Sequence, residues 1–210
     1  MRTLQAENRQ TGWSLMVPTT WSRIRLARDR QEQVAALIGR AFATVSRDQG
    51  AGLRREMERE LLTLADQAHD RGAVEFYLLS DVMRGLPLAA SCVVTVLPES
   101  LPANVDPEIL ARVLVQGPEA EPRTVSIDGQ DVPALKVSQV QYFPAEKPGE
   151  PQPRATVSGL DVYAPFPDRS QILLLSFRTP VDVVADPMLF LFEAIAGSLR
   201  WREEVRDGVR

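Results

Sequence analysis

Apolar positions along this chain follow two periods, and the switches between them divide it into elements. The densest apolar stretch is 155–201. There Leu160, Val162, Ala164 and Phe166 alternate along one strand face, and the run from Ile172 to Phe177 starts apolar on both faces, as a strand inside a sheet requires. The turn Pro167-Asp168-Arg169-Ser170 between them predicts a long hairpin. Asp186-Pro187 then predicts a helix start, because Asp can cap and Pro fits the first helical position. Met188, Leu191, Phe192, Ile195 and Leu199 form one stripe of that helix. Phe190, Ala194, Gly197 and Trp201 form a second. Only Glu193 and Arg200 mark a wet side, so the helix is expected to be covered over most of its surface.

Nearer the N-terminus, Trp13, Leu15 and Val17 alternate and predict a first strand, stopped by Pro18. Trp21, Arg23 and Arg25 share one face of a second strand, with Ile24 and Leu26 on the other. Val34, Leu37, Ile38, Ala41, Phe42 and Val45 have helical spacing over 29–45. Residues 46–52 hold two glycines and read as a break. A second helix follows over 53–69, with Leu53, Met57, Leu61, Leu64, Ala65 and Ala68 on one side and Gly72 at its end. The two form a helical hairpin, inserted at 29–70 and laid on an apolar surface.

Residues 73–82, with Val74, Phe76 and Leu78 on one face, pair with 88–97 around Arg84-Gly85-Leu86-Pro87. Asp106-Pro107 opens a short helix to about 115, and 116–122 is a linker. Asp128-Gly129 is the strongest hairpin signal, because a tight turn needs positive φ there. In the following strand Leu135 and Val137 are out of phase with Val140 and Tyr142. A β-bulge at Ser138-Gln139 would keep all four on the core face. Residues 144–154, with four prolines, read as a mobile exposed loop, 1–11 as a flexible N-terminus and 202–210 as a fraying polar tail. No internal repeat is visible. The sum is one α+β domain over 12–201. It has an antiparallel sheet of six or seven strands, with an N-terminal helical pair, a short middle helix and a C-terminal apolar helix packed on it.

Composition narrows the function. A net charge of −4 argues against a nucleic-acid binder that works by neutralising phosphates. No window reaches the roughly 20 apolar residues of a membrane span. The polar start lacks the apolar core of a signal peptide, and a single cysteine, Cys92, excludes an internal disulfide. These features favour a cytoplasmic protein. Catalytic chemistry is scarce. The one histidine, His69, ends a helix, and no G-x-S-x-G serine accompanies it. One histidine and one cysteine do not make a zinc site. Gly50-Ala51-Gly52 lacks the third glycine of a dinucleotide loop, because Arg55 stands in its place. Cys92 lies mid-strand among apolar residues, as a buried inert thiol would. Glu56 and Glu60 are interleaved with arginines and read as a solvated helix face. No catalytic, cofactor-binding or metal-binding residue is assigned, and no cofactor is expected. Trp13, Trp21, Arg23, Arg25 and Trp201 are the candidate partner or ligand surface. The plainer alternative places the tryptophans at core edges and the arginines, with Arg28 and Arg30, on a solvated edge strand.

The order of several short motifs carries a resemblance. Val17-Pro18-Thr19-Thr20-Trp21 ends an early strand just before a tryptophan. A D-G turn leads into Val132-Pro133-Ala134-Leu135. The last hairpin strand runs Leu173-Leu174-Leu175-Ser176-Phe177, and the final helix ends near Leu199-Arg200-Trp201. Over roughly 12–26 and 73–201 the chain resembles the Mog/PsbP-like group, of the DcrB/EagR/LpqN type. Its arginine- and alanine-rich style is similar to that of actinobacterial proteins. The resemblance implies an antiparallel sheet flanked by helices and a largely non-enzymatic function. That group includes photosystem subunits, a Ran-binding protein, small bacterial lipoproteins and secretion-effector chaperones. The leading expectation is a non-catalytic binding or adaptor protein, a chaperone-like partner of a secreted protein, with a protein partner or a homodimer. The second is a small-ligand domain with a tryptophan-lined cleft between the helical pair and the sheet. A third, a carboxylate-dependent hydrolase, requires two Asp or Glu side chains facing each other in a pocket.

Overall fold

A computed structural model describes residues 11–43, 47–83, 86–97, 120–142, 151–168 and 171–203. The chain runs β1 (Thr11–Ser14), β2 (Trp21–Arg25), α1 (Arg30–Ala41), α2 (Arg47–Asp70), β3 (Ala73–Met83), β4 (Leu86–Leu97), β5 (Ala120–Ile127), β6 (Gln130–Tyr142), β7 (Arg154–Pro165), β8 (Ile172–Thr179), α3 (Ala185–Gly197) and β9 (Arg200–Glu203). Seven strands form one antiparallel sheet in the order β2-β3-β4-β8-β7-β6-β5, and β1 and β9 form a separate two-stranded ribbon. The α+β class and the strand number match the sequence reading. The short middle helix, the turn at 84–85, most of the proline-rich loop and the residues beyond each end of the ribbon lie outside the described residues.

Strand β8 explains the layering. Leu173, Leu175 and Phe177 point to one face and Ile172 and Leu174 to the other, so both faces must be covered. On the first face α3 packs down, and the ring of Phe192 stacks on that of Phe177 at 5.0 Å between centroids and 20° between planes. Both rings are fully buried. On the second face α1 and α2 cover the β2–β3 end, where Ile24, Leu26, Val34, Ile38, Ala65 and Phe76 fill the interface. Strands β7 and β8 approach so closely that a Cβ at Gly159 would lie 2.2 Å from the Phe177 carbonyl oxygen. The Arg178 side chain crosses this gap and donates to both oxygens of the buried Asp161, at 2.7 and 2.9 Å. The turn between β5 and β6 forms as expected, with φ of 50° at Asp128 and 75° at Gly129.

Several elements depart from the sequence reading. Strand β1 stops at Ser14, so Leu15 to Val17 continue without strand pairing, and the Met16 N–H donates to Ser198 Oγ at 2.9 Å. Helix α2 begins at Arg47 and runs through Gly50 and Gly52, because a helical glycine costs only about 1 kcal/mol, too little to stop a long helix. Helix α3 starts one residue before Asp186, after a 3-10 turn over Asp182–Val184, so Asp186 and Pro187 sit inside its first turn, where no intrahelical N–H bond is required. It ends at Gly197. Trp201 lies on β9, and pairing with β1 also places Arg202 in a strand and not in the tail. The β6–β7 register runs unbroken from Ala134↔Val162 to Tyr142↔Arg154, so the expected bulge is absent and Val140 and Tyr142 turn outward. The bulge occurs in β3, between Ala73↔Thr95 and Glu75↔Val94. It sends Val74 to the α3 side, while Phe76 and Leu78 face the helical pair.

Replacing the buried Phe192 by Ala should cost about 3–5 kcal/mol, whereas Val140→Ala on the outward strand end should change stability by less than about 0.5 kcal/mol. Urea midpoints of the two variants check both.

Candidate interaction surface

The tryptophans divide between two places. Trp13 and Trp201 stand directly opposite each other across the β1–β9 ribbon. Both are half-buried against Phe166, Trp13 edge-on at 6.4 Å and Trp201 tilted at 4.8 Å between centroids. Trp21 is buried on the edge strand β2 and meets Phe192 edge-on at 6.4 Å. Its Nε1 has no hydrogen-bond partner among the described residues. None of the three lines a cleft between the helical pair and the sheet, where apolar side chains close the interface. An open depression of about 450 Å³ lies instead at the start of α1. It is lined by 27–32 with Leu62 and Asp66, and an ion pair from Arg30 Nε to Asp66 Oδ1 at 2.9 Å stands on its wall.

Arg23 and Arg25 share a strand face but not a role. The Arg23 guanidinium donates to Glu75 Oε1, and the Tyr77 hydroxyl donates to Glu75 Oε2 at 2.6 Å. The guanidinium carbon also stands 6.0 Å from the centre of the Tyr77 ring. Glu75 is only 7% exposed, so Arg23 is its structural partner and not a solvated edge charge. Burial raises the Tyr77 hydroxyl pKa, and the bond to Glu75 adds to the shift. Arg25 is exposed, and its backbone N–H donates to Gln33 Oε1 at 2.9 Å, which ties β2 to α1. These two arginines therefore do not act as one basic patch.

Groups suited to catalysis are occupied or dispersed. Glu75 and Asp161 are buried carboxylates, but strand alternation places them on opposite faces of the sheet, and each is held by its own arginine. Glu56 and Glu60 are solvated, as expected. Burial pushes the Cys92 thiol well above its usual pKa and keeps it a poor nucleophile. Among the described residues no group of three or more His, Cys, Asp or Glu is placed to hold a metal.

Two of the uncovered surfaces are apolar. On α3, Met188, Phe192, Ile195 and Ala196 face the sheet, and Leu199 just beyond it does the same. Residues 100° apart on a helix then place Pro187, Phe190 and Ala194 on the opposite side, and Val183 stands beside them in the 3-10 turn before the helix. All four are exposed, Val183 by 77% and Phe190 by 74%. The expectation that most of this helix is covered is thus corrected in part: of its second stripe, Phe190 and Ala194 face outward, while Gly197 faces the Ser126 carbonyl and Trp201 lies on β9. Met16, fastened at the C-terminal end of α3 through Ser198, is 72% exposed as well. On the other side of the sheet, α2 turns Ala65 inward and leaves Leu53, Met57 and Leu64 exposed by 56%, 40% and 55%. The sequence displayed both stripes as periodic patterns. It carried no signal that they face away from the core.

No family model matches the chain, and no curated protein matches it significantly. Among solved structures it is similar to "Crystal structure of LpqN involved in cell envelope biogenesis of Mycobacterium tuberculosis". The likeness covers 93% of this chain and 86% of that one, at 12% identity and a TM-score of 0.40. At that level it assigns neither family nor function. No described helix is long and apolar enough to cross a membrane.

Removing the Arg23 charge as Arg23→Met should leave the buried Glu75 carboxylate without its cation, held only by the Tyr77 hydroxyl, and cost about 1–3 kcal/mol, whereas Arg25→Glu should stay within about 0.5 kcal/mol. Thermal melts of the two variants distinguish these outcomes. A second expectation concerns alkali. Burial, with the nearby Asp161 charge, pushes the Tyr163 hydroxyl from 10.0 to about 12. A raised folded-state pKa means the folded chain holds this proton more tightly. The resulting stability is complete below about pH 10 and is lost as pH rises towards 12. Tyr163→Phe should flatten the fall in melting temperature across that window, and an unchanged slope would refute the assignment.

Proposed function

We propose that this is a non-catalytic binding protein that docks a partner polypeptide on the outward stripe of α3. The observation that carries the reading is the exposure of Phe190 on α3 and of Val183 in the turn that leads into it, each about three-quarters in solvent, while the other side of the helix is packed on the sheet. Apolar surface left in water at this scale favours association, because burial gains about 25 cal/mol per Å². Protection of such a face by a partner suits a chaperone-like or adaptor role towards a secreted protein. The second stripe, on α2, lies beyond the opposite face of the sheet, so it offers a contact that does not compete with α3. An adaptor needs two such faces.

A photo-crosslinking amino acid at position 190 tests the reading in the native host, with one at position 141, an exposed polar residue of β6 away from both stripes, as control. A discrete crosslinked polypeptide from 190 and none from 141 is the expected result. No crosslink at 190 would sink the proposal. Phe190→Asp should abolish the crosslinked partner's co-purification while leaving the melting temperature within about 2 °C, because the ring takes no part in the core.

A further inference from the structure

The spacing of the outward stripe and the charges beside it specify the partner further. We infer that the segment docked on α3 is a basic amphipathic helix, a conclusion that rests on the reading of α3 as the docking face. Within α3, Pro187, Phe190 and Ala194 follow one another at intervals of three and four residues, and Val183, in the 3-10 turn before the helix, stands four residues ahead of Pro187. That alternation is the a/d seam along which one helix packs lengthwise on another, not the two-residue period of an added strand. Ala194 is small and exposed, so a second helix can approach closely at that end, with Phe190 as the large side chain entering it.

Charge selects the kind of helix. Asp186 and Glu193 both fall at the g position of this seam, seven residues apart along one edge. Neither takes part in an ion pair among the described residues. The e positions on the other edge are Val184 and Leu191, which carry no charge. Arg200, at the C-terminal end, is taken up by Asp128 at 2.9 Å and by the Gly197 carbonyl at 3.0 Å. A second copy of this chain does not complement the pattern. Antiparallel pairing sets g against g and brings acid to acid, and parallel pairing sets g against the uncharged e edge. A helix with apolar seam residues flanked by Lys or Arg satisfies both the seam and the acids. An anionic membrane surface would be repelled by them.

The test uses the full chain and two labelled peptides of about three heptads, with one leucine seam and either lysine or glutamate at the flanking positions. The lysine peptide is expected to bind at least about tenfold more tightly, to weaken several-fold as salt rises, and to lose binding in Phe190→Asp. In the double variant Asp186→Lys with Glu193→Lys, the preference should reverse. Equal binding of both peptides, lost in Phe190→Asp, would overturn the charge inference and leave the docking face intact. Lysine-peptide binding that survives Phe190→Asp would overturn it by placing the site elsewhere. If neither peptide binds, the inference falls, and a blank crosslink at position 190 would show that the docking reading falls with it. A dimer in sedimentation that Phe190→Asp dissociates would also overturn it, since the seam would then take a second copy.

Discussion

The stack of Phe192 on Phe177 decides how α3 is rotated, and with it what the protein shows to solvent. Two residues on a helix are separated by about 200°, so burying Phe192 drives Phe190 to the far side. The neighbours in phase with Phe192, Met188 and Leu199 among them, fill the same layer. Those in phase with Phe190 have no core to enter. A sheet face can accept one stripe of a helix. A helix apolar on two stripes must therefore leave one of them outside, and the ring pair fixes which.

The two buried carboxylates among the described residues are paired where they stand. Glu75 meets Arg23 and the Tyr77 hydroxyl on the α3 side of the sheet, and Asp161 meets Arg178 on the other. Isolated buried carboxylates would be costly, and paired ones are tolerated when their remaining oxygens are bonded. Gly159 makes the second pair sterically possible, because a side chain there would collide with the Arg178 stem and the Phe177 carbonyl. The same pairing that makes these groups affordable also removes them from chemistry.

Local signals were legible in the sequence where a short stretch determines its own conformation. The Asp128-Gly129 turn, the two-faced strand β8 and the amphipathic α1 needed no distant partner. Features set by remote pairing were not. Arg23 looked solvated because its partner Glu75 lies some fifty residues away. Residues 200–201 looked like a helix end, and 202–203 like the start of a polar tail, because β1, at the opposite end of the described chain, is what draws them into a strand. The phase change in β6 suggested a bulge, but the strand end there lies where outward side chains are tolerated, and no register shift is needed. The surface on α3 was half legible. Its seam spacing can be read directly, yet periodicity is the same whether the cover comes from the chain itself or from another molecule.

The ribbon at the ends of the described chain has a mechanical consequence. Thr11 lies opposite Glu203, and Ser14 opposite Arg200, so the outer residues of both strands leave from the same edge. Tension applied through residues 11 and 203 would load the cross-strand bonds one at a time, as in a zipper, and each is worth only about 0.5–1.5 kcal/mol net. Once the ribbon parted, the pull would reach the bond from Met16 to Ser198 and then the C-terminal turn of α3. The apolar helix is thus the first part of the core that a tug on the two strands would peel from the sheet.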